Sequence, residues 1–478
     1  MEFKLEQGGK TKILLVTESM DELNIQNELY QYLKESEIFK GSLKETYLDL
    51  NLNKENFLFL GLGKEKDLTI NDVRKAFHKA GKDLMNIKAK SVGISITELG
   101  DLDYNEIIAA ATEGLLHSEY AFEKHLTEKK VKPTLEEVYF DIPSEEKDKA
   151  LEAIEETKSL INGIFLARDL VNERAINMYP KILANTAKDN LEDLNVKVDI
   201  YDKKAIKDMS MEALLAVSQG SDKEPKFIVM TYNGNPDSEE KIALVGKGLT
   251  YDSGGYSLKP SLSMDTMFSD MGGAGTVIGA MKSIAKSKLK KNVVGIIPAC
   301  ENLISGSAYK PGDIIGSMSG KTIEVLNTDA EGRLALADAL WYAATEVKAD
   351  KIINLATLTG ACLVALGNTT TGAITNNDKF MDEVYQASKI SGEPVWQLPS
   401  HPDYKKQIKG DFADLNNTGG KGAGTITAGL FLEEFVDDTP WVHLDIAGTA
   451  YIDKPNGYLP KGATGVHVKT LYYLVKNQ

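Results

Sequence analysis

The sequence predicts an α/β protein of two α/β domains, the second with a mixed central sheet that helices flank on both faces. Short apolar runs typical of strands alternate with longer segments of helical periodicity along the chain. Several of these runs are apolar throughout instead of alternating, as is typical of strands buried on both faces of a sheet. The length of 478 residues exceeds what one hydrophobic core usually organises, and a hydrophobic content of 42% suffices for more than one.

The first predicted domain spans residues 1–160. Its strand candidates are the apolar runs at residues 13–16, 57–63 and 92–96, and a helical pattern spans residues 68–89. This alternation of strands with a helix favours an α/β layer.

A long helix is predicted where the two domains join. A charged, irregular stretch ends near residue 147, and Ser144 within it is the N-cap candidate for the helix. Apolar residues follow at helical spacing: Leu151, Ile154, Ile161 and Phe165. We therefore place the domain join near residue 160.

The second predicted domain covers residues 161–478 and contains five clear strand candidates. They are the apolar runs at residues 227–232, 242–246, 292–298, 351–357 and 441–446. Because such runs leave no polar face, they suit a central sheet covered on both sides. A further strand candidate, at residues 321–326, is less apolar.

The charge of the chain argues against nucleic acid and membrane partners. A formal net charge of −15 opposes non-specific attraction to phosphates or anionic lipid. The N-terminal residues MEFKLEQGGK are charged and lack the apolar stretch of a signal peptide, and no apolar run is long enough to cross a bilayer. The two cysteines, Cys300 and Cys362, lie far apart in apolar surroundings, which suits buried, reduced thiols. These features predict a cytoplasmic protein.

Common nucleotide-binding and hydrolase motifs fail on their spacing. Only three residues separate Gly316 from Gly320 in GSMSGKT, one fewer than a phosphate loop needs. The glycines of GGAGTVIGA miss the dinucleotide fingerprint by one residue and follow no convincing strand, so helix packing explains them at least as well. The six histidines include no metal-binding pair, and no Gly-x-Ser-x-Gly motif is present. Each histidine is therefore interpreted as structural.

The stretch NTDAEGRL permits two interpretations. Thr328 and Glu331 have the spacing of a capping box that would begin the apolar helix that follows. That interpretation leaves Gly332 and Arg333 unexplained, since glycine weakens a helix and a cation is unfavourable at its positive end. Alternatively, if the preceding strand candidate continues, Asp329 and Glu331 project to the same side of an extended segment.

A second polar segment, residues 245–275, begins at the end of a strand candidate. It combines two lysines with three aspartates: Lys247, Lys259, Asp252, Asp265 and Asp270. Ligands bind at the carboxyl ends of strands in open α/β sheets, and converging carboxylates can hold divalent ions. Taken singly, however, an aspartate in a glycine-rich loop is more often a solvated charge or a cap.

Four segments together resemble the leucyl aminopeptidase family, the two-metal cytosolic aminopeptidases. NTDAEGRL matches that family's signature without a mismatch, and GKGLTYDSGGYSLKP and MFSDMGGAG are similar to its other metal-site segments. INLATLTGACLVALG is similar to its substrate-side strand and loop. The resemblance is strong from about residue 165 to the C-terminus, whereas before that it rests on length and the α/β pattern only.

The resemblance implies a site for two divalent ions, Mn²⁺ or Zn²⁺, with Mg²⁺ as a further candidate. The implied metal ligands are Lys247, Asp252, Asp270, Asp329 and Glu331. Asp252 and Glu331 would bridge the ions, and Lys247 would have to bind as a neutral amine. Lys259 and Arg333 would remain free for catalysis.

The implied activity is the release of N-terminal amino acids from peptides with a free N-terminus. A water bridging the two ions would attack the scissile carbonyl, with Lys259 stabilising the oxyanion. Arg333 would hold a bicarbonate that serves as general base. Two other functions stay open: a narrow dipeptidase such as a Cys-Gly hydrolase, and a DNA-binding or regulatory protein on the same fold.

The resemblance also implies a substrate pocket and an assembly. The implied pocket residues are Met267, Thr357, Leu358, Ala447 and Ala450. They would form an apolar pocket that prefers leucine and other apolar side chains. The implied assembly is a homohexamer. Asp265 has no role in the family pattern and is interpreted as a loop cap.

Overall fold

Two compact units make up the chain in the computed structural model. The structure describes residues 1–19, 28–51, 55–96 and 99–478. The first unit contains residues 1–161 with 455–460, and the second contains residues 162–454 with 461–478.

The first unit is built on a six-stranded sheet. Its strands are β1 (Glu2–Lys4), β2 (Thr11–Thr17), β3 (Thr46–Asp49), β4 (Asn56–Gly63), β5 (Ser91–Ser95) and β6 (Glu137–Asp141). They lie in the order β1-β6-β5-β2-β4-β3, and every neighbouring pair is parallel except β3 with β4. Three helices of this region are α1 (Glu28–Glu35), α2 (Ile70–Asn86) and α3 (Tyr104–Ser118). The predicted strands and helix are confirmed as β2, β4, β5 and α2.

The helix predicted at the domain join is observed as α4, which spans Lys147–Asn172. Ser144 does not cap this helix, so that prediction is wrong. It instead begins a separate 3-10 turn, Ser144–Glu146, whose own N-cap is Pro143.

The predicted apolar face of α4 is partly confirmed. Ile154 and Ile161 are buried, with 1% and 3% of their surface exposed. Leu151 is 52% exposed, so it lies outside the buried face of the helix. Ala150, one residue before Leu151, is fully buried in its place.

The second unit is built on a mixed nine-stranded sheet. The strands of this unit are β7 (Val196–Tyr201), β8 (Lys226–Asn233), β9 (Lys241–Gly246), β10 (Gly248–Asp252), β11 (Asn292–Asn302), β12 (Ile314–Ile315), β13 (Ile323–Glu324), β14 (Lys351–Ala356), β15 (Thr371–Thr375), β16 (Val395–Gln397), β17 (Leu415–Asn416), β18 (Trp441–Asp445), β19 (Tyr451–Ile452) and β20 (Gly462–Ala463). The main sheet has the order β16-β15-β18-β14-β9-β11-β8-β7, with β10 paired to β11. Its centre, β18-β14-β9-β11, is parallel, while β15, β7 and β8 add antiparallel pairs.

The five clear strand candidates of this domain are confirmed as β8, β9, β11, β14 and β18. The candidate at residues 321–326 is observed only as the two-residue strand β13, Ile323–Glu324. Beyond its end, the N–H groups of Leu326 and Asn327 bond a side chain and not a neighbouring strand. Both donate to Asn417 Oδ1, at 2.8 Å and 3.3 Å.

Helices cover both faces of this sheet. The helices of the unit are α5 (Pro180–Leu191), α6 (Lys203–Asp208), α7 (Glu212–Ser218), α8 (Ser261–Met264), α9 (Gly272–Lys286), α10 (Gly332–Thr345), α11 (Gly360–Leu366), α12 (Asp378–Ser391), α13 (Pro402–Lys406), α14 (Gly424–Glu433) and α15 (Val468–Lys476). Val294 of β11 shares a core with Leu336 of α10. Its neighbour Gly295 faces α9, since a Cβ there would lie 3.3 Å from Val277 Cγ1. Among the described residues, no helix has the length and apolar character that a membrane crossing requires.

Close packing against α4 explains two glycines of α9, Gly275 and Gly279. A Cβ on Gly279 would lie 2.5 Å from the carbonyl oxygen of Gly163, and one on Gly275 would lie 2.6 Å from Val171 Cγ2. The helix-packing interpretation of GGAGTVIGA is therefore confirmed for Gly275 and Gly279. Gly273 packs instead against the backbone of β14, since a Cβ there would lie 2.1 Å from the Leu355 carbonyl oxygen.

Candidate functional site

The polar segments meet at the carboxyl ends of β9 and β10 and at the start of α10. Lys247 follows β9 directly, and Asp252 is the last residue of β10. Asp329 and Glu331 lie in the turn before α10, and Asp270 lies two residues before α9. The fold thus brings together side chains that are far apart in the sequence.

Lys247 is buried among carboxylates. Its Nζ lies 2.7 Å from Asp270 Oδ2 and 2.9 Å from Glu331 Oε1, and it donates to the Thr357 carbonyl oxygen at 3.1 Å. Burial opposes the charge of this lysine, but the carboxylates of Asp270 and Glu331 outweigh burial and raise the pKa of Lys247. In this arrangement the side chain is an ammonium group.

Lys259 pairs with the other two acids. Its Nζ lies 2.8 Å from Asp252 Oδ2 and 2.6 Å from Asp329 Oδ1. Burial opposes its charge too, but the negative charges of Asp252 and Glu331 raise the pKa of Lys259. The Lys259 side chain is 15% exposed, against 3% for Lys247, so Lys259 is the more accessible of the two cations.

The acids are crowded enough to oppose one another's ionisation. Burial, reinforced by the charges of Glu331 and Asp270, raises the pKa of Asp252. Burial raises the pKa of Asp270 and of Asp329 as well. Glu331 differs, because the adjacent lysines overcome burial and lower its pKa. Further positive charge in the cluster would relieve the repulsion among these carboxylates.

Oxygen atoms suited to a divalent cation converge in this cluster. One carboxylate oxygen from each of Asp252, Asp329 and Glu331 lies within 4.8 Å of the others. In the described part of the chain, Glu331 Oε2 is buried without a hydrogen-bond partner. Buried polar atoms are rarely left unpaired, and carboxylate oxygens are ligands that hard cations prefer. The residues present therefore fit a metal site.

Gly332 makes room for Lys247. A Cβ on Gly332 would lie 2.4 Å from Lys247 Cε and 2.6 Å from its Nζ. The glycine of NTDAEGRL is thus explained by a side chain that approaches it from another segment. Neither a capping box nor an extended segment predicts that contact.

The capping-box interpretation of NTDAEGRL is wrong. α10 begins at Gly332, and the side chain of Glu331 at its N-cap makes no capping bond. Thr328 instead joins two loops: its Oγ1 donates to the Gly254 carbonyl oxygen at 2.7 Å and accepts from the Ser257 N–H at 2.8 Å. Ser257 Oγ in turn accepts from the Thr328 N–H at 3.1 Å. These bonds hold the loop after β10 against the loop before α10.

Arg333 has an unused donor in a buried position. Its Nη1 donates to the Asn417 carbonyl oxygen at 2.8 Å, and the residue is 7% exposed. Its Nε has no hydrogen-bond partner within the described ranges. Burial lowers the pKa of Arg333 to about 10, against the opposing charges of Glu331 and Asp445. A buried guanidinium with a free N–H is suited to bind a small planar anion.

Two of the predicted pocket residues lie at the start of α9. A Cβ on Gly272 would lie 3.2 Å from Thr357 Cγ2 and 3.1 Å from Ala450 Cβ. Thr357 also contacts the acid cluster, because its Oγ1 donates to Asp270 Oδ1 at 2.7 Å. Its hydroxyl therefore orients an acid, while its methyl group lies near Gly272.

The other three predicted pocket residues lie in nearby loops. The N–H groups of Leu358 and Ala447 both donate to Asp445 Oδ1, each at 3.2 Å. One buried carboxylate therefore holds the loops after β14 and β18 together. Met267 begins the 3-10 turn Met267–Ser269 that leads to the acid cluster, and it is half-buried.

Asn302 is a polar residue of the site that no motif indicates. The parallel register of β10 with β11 places it beside Asp252, at the ends of the two strands. Its Nδ2 donates to Asp252 Oδ1 at 2.8 Å and to the Thr328 carbonyl oxygen at 2.9 Å. The only signal for this residue is a strand register between distant segments, which a local pattern does not contain.

Asp265 and the histidines have other roles. Asp265 is exposed and is the C-cap of α8, outside the acid cluster. His443 is fully buried with its Nδ1 bonded to Asn354, and burial lowers the pKa of His443 to about 3. His467 is fully buried as well, with its Nε2 bonded to Thr371. These contacts are those of structural histidines.

Models of known families match both units of the chain. The model of the cytosol aminopeptidase family's catalytic domain matches residues 165–472, and that of the family's N-terminal domain matches residues 12–129. The chain belongs to the cytosol aminopeptidase family. The N-terminal match extends the family to the region where motifs alone show little resemblance.

Relatives of this cytosol aminopeptidase are similar over their full length. A probable cytosol aminopeptidase of Clostridium tetani is 60% identical over 476 residues, which cover 100% of this chain and 99% of the relative. One of Treponema denticola is 48% identical over 480 residues, with 100% of both chains covered. Among solved structures, the bottromycin maturation enzyme BotP in complex with Mn has a TM-score of 0.89 at 28% identity, covering 98% of this chain and 99% of that one. The protein is thus an aminopeptidase of a metal-dependent family, and its substrates are peptides.

Proposed function

We propose that this cytosol aminopeptidase uses two divalent ions to release N-terminal residues, with a preference for leucine and other apolar residues, from peptides with a free N-terminus. The observation that carries the proposal is that carboxylate oxygens of Asp252, Asp329 and Glu331 lie within 4.8 Å of one another, beside the Lys247 pairs with Asp270 and Glu331. The proposed metal ligands are Lys247, Asp252, Asp270, Asp329 and Glu331. These residues would hold the ions. The ions proposed are Mn²⁺ or Zn²⁺, with Mg²⁺ as a further candidate, and the complex of BotP with Mn supports manganese.

Lys259 and Arg333 are the proposed catalytic residues of the chain. Bound ions would supply Lewis acidity and an activated water, and a bicarbonate at Arg333 would supply a general base. Lys259 would stabilise negative charge on the scissile carbonyl oxygen, since its ammonium is accessible and is oriented by Asp252 and Asp329. Arg333 would bind the anion through its unused Nε–H while Asn417 fixes its Nη1.

An apolar pocket supports the proposed preference for leucine. The residues assigned to it are Met267, Thr357, Leu358, Ala447 and Ala450. The hydroxyl of Thr357 is engaged by Asp270, so the methyl group is the part left for an apolar side chain. We also propose that the protein is a cytoplasmic homohexamer, as the family resemblance implies.

Metal reconstitution tests the proposed function. The metal-stripped protein is given Mn²⁺, Zn²⁺ or Mg²⁺ separately and assayed on amino-acid amides, on their N-acetylated counterparts and on Cys-Gly. We expect hydrolysis of the free-amine substrates only with an ion present, and fastest for leucine amide. Equal hydrolysis of the acetylated substrates would contradict a mechanism anchored on the free amine. Activity on Cys-Gly alone would show a narrow dipeptidase instead.

The role of Lys259 is tested by the Lys259→Ala variant. Loss of one donor to a developing oxyanion lowers kcat by about 10²- to 10³-fold, and we expect a loss in that range. Lys204→Ala, at a site where the lysine side chain is 83% exposed, is the control and should keep wild-type kcat. A Lys259→Ala enzyme with unchanged metal content and unchanged kcat would exclude the oxyanion role.

A further inference from the structure

We propose that Asn302 is a positioning residue that holds the Asp252 carboxylate and the 327–331 loop in the arrangement that binds divalent ions. The inference rests on the proposed function, because it takes Asp252 and this loop as parts of a metal site. Asn302 is fully buried at the end of β11, so its side chain contacts the protein interior on all sides.

One amide nitrogen links the two segments that carry the acids. Asn302 Nδ2 donates to Asp252 Oδ1 at 2.8 Å and to the carbonyl oxygen of Thr328 at 2.9 Å. The same Asp252 oxygen accepts from the Gly254 N–H at 2.8 Å, and the same Thr328 carbonyl accepts from the Tyr309 hydroxyl at 3.0 Å. Asn302 therefore connects the end of β10 directly to the loop before α10, as Lys259 does through its pairs with Asp252 and Asp329, but from the buried strand β11.

These bonds determine the orientation of the Asp252 carboxylate. Two N–H donors occupy Oδ1, so the carboxylate cannot rotate without losing both bonds, and Oδ2 stays directed at Lys259 Nζ, 2.8 Å away. When a side chain that hydrogen-bonds and orients a metal-binding residue is removed, the affinity for the metal typically falls by about 10- to 100-fold.

The position requires an uncharged side chain with two donors on one nitrogen. An amide NH₂ can donate to two acceptors at once, whereas an ionised carboxylate can donate to neither. An aspartate here would also place a like charge against Asp252. The loop packs closely on the amide, since a Cβ on Gly255 would lie 3.0 Å from Asn302 Oδ1.

The test compares Asn302→Ala and Asn302→Ser with a control on the same strand. Neither short side chain can reach both acceptors. The serine variant is included in case the alanine variant does not fold, because its hydroxyl can hydrogen-bond a water molecule in the buried space. The control is Asn292→Ala at the opposite end of β11. Asn292 is 7% exposed, and its Nδ2 donates to the carbonyl oxygens of three residues outside the site.

Affinity for Mn²⁺ is measured on metal-stripped proteins by competition with a chelating dye, and thermal unfolding of the same samples reports stability. We expect the Asn302 variants to bind Mn²⁺ about 10- to 100-fold more weakly than wild type. Asn292→Ala should melt at a lower temperature than wild type but bind Mn²⁺ equally well.

Two results would overturn the positioning role: wild-type affinity in the Asn302 variants, or an equal loss of affinity in Asn292→Ala. A wild-type protein that binds no divalent ion would overturn the proposed function itself. Because the wild-type sample decides that point before any variant is compared, the two failures are distinguishable.

Discussion

Lys247 has one set of partners in the structure and another in the proposed metal site, and the two sets require different protonation states. As an ammonium group it pairs with Asp270 and Glu331, at 2.7 Å and 2.9 Å. As a metal ligand it must be a neutral amine, since only the free electron pair of nitrogen can bind an ion. In the proposed metal site, Asp270 and Glu331 would bind the ion and would no longer pair with an ammonium group. Binding of an ion should therefore remove a proton from this buried side chain.

Proton release on metal binding should be measurable. Burial opposes the charge of Lys247, but the surrounding carboxylates outweigh it and raise the pKa of Lys247, so this lysine stays protonated in the alkaline range. We expect Mn²⁺ affinity to rise with pH in that range and calorimetry in buffers of different ionisation enthalpy to detect a released proton. Lys247→Arg, which stays charged, should fold but bind Mn²⁺ poorly. A pH-independent affinity would show that Lys247 is not a ligand.

Gly332→Ala should damage the site through Lys247. The added Cβ would lie 2.4 Å from Lys247 Cε, so the lysine must move away from its acids. Overpacking of this kind costs about 1–3 kcal/mol, and we expect a lower melting temperature together with weaker Mn²⁺ binding. Gly306→Ala is the control, because a Cβ there meets no atom within 4 Å. Unchanged Mn²⁺ affinity in Gly332→Ala would contradict the assignment of Lys247.

At the scale of elements, α10 is anchored by a buried acid inside it. Asp338 Oδ1 accepts from the Met318 N–H at 2.8 Å, and its Oδ2 accepts from the Leu214 N–H at 2.9 Å. These bonds tie the helix to α7 and to the loop before β13. The start of α10, with Glu331 before it, is therefore held by contacts remote from the acid cluster.

Asp338 should make stability depend on pH. Burial raises the pKa of Asp338 to about 7, although the N–H groups of Met318 and Leu214 oppose the rise. The unfolded chain has an ordinary carboxyl pKa of about 4, so the stability from this group is complete below about pH 4 and is lost as the pH rises through about 7.

The Asp338→Asn variant tests this dependence. Asparagine offers one acceptor for two N–H groups, so we expect a loss of about 1–3 kcal/mol in the free energy of unfolding and a flatter pH profile. Urea unfolding at several pH values measures both quantities. Asp382→Asn, at an exposed position of α12, should keep the wild-type profile. If Asp338→Asn kept that profile too, another group would be responsible for the dependence.

The sequence predicts some elements of this site and not others. β9, β11 and β14 are continuous apolar runs, as expected of central parallel strands, and all three are predicted. β10 is not, because its residues GLTYD include polar ones and the strand pairs on one side only. Thr328 has the spacing of a capping box, yet its hydroxyl bonds a distant loop. Contacts of this kind depend on tertiary structure, so a local pattern does not reveal them.

At the scale of the whole molecule, the candidate metal ligands belong to one unit. All five lie between residues 247 and 331, within the second unit of residues 162–454 and 461–478. Family resemblance identifies this unit from its motifs, whereas the first unit is predicted only as an α/β layer. The first unit contains none of the candidate site residues, so its sequence indicates a fold but no function.

Binding of Mn²⁺ should therefore slow amide hydrogen exchange in the second unit and leave it unchanged in the first. A ligand that binds only the folded state at 100 times its Kd adds about 2.7 kcal/mol of stability. We expect slower amide hydrogen exchange at the ends of β9, β10 and β11 and in the 327–331 loop, with β2, β4 and β5 unchanged. Hydrogen exchange followed by mass spectrometry, with and without Mn²⁺, measures this. Equal protection of β2, β4 and β5 would place the ions, or their effect, outside the second unit.

The pairing of Lys247 and Lys259 with the four acids also affects when this site can form in the cell. Because every acid already has a cationic partner, this corner of the sheet can assemble during synthesis without waiting for a metal. In the proposed metal site, folding and metallation would then be separate events in time. The ion that the site holds would be selected after the chain has folded.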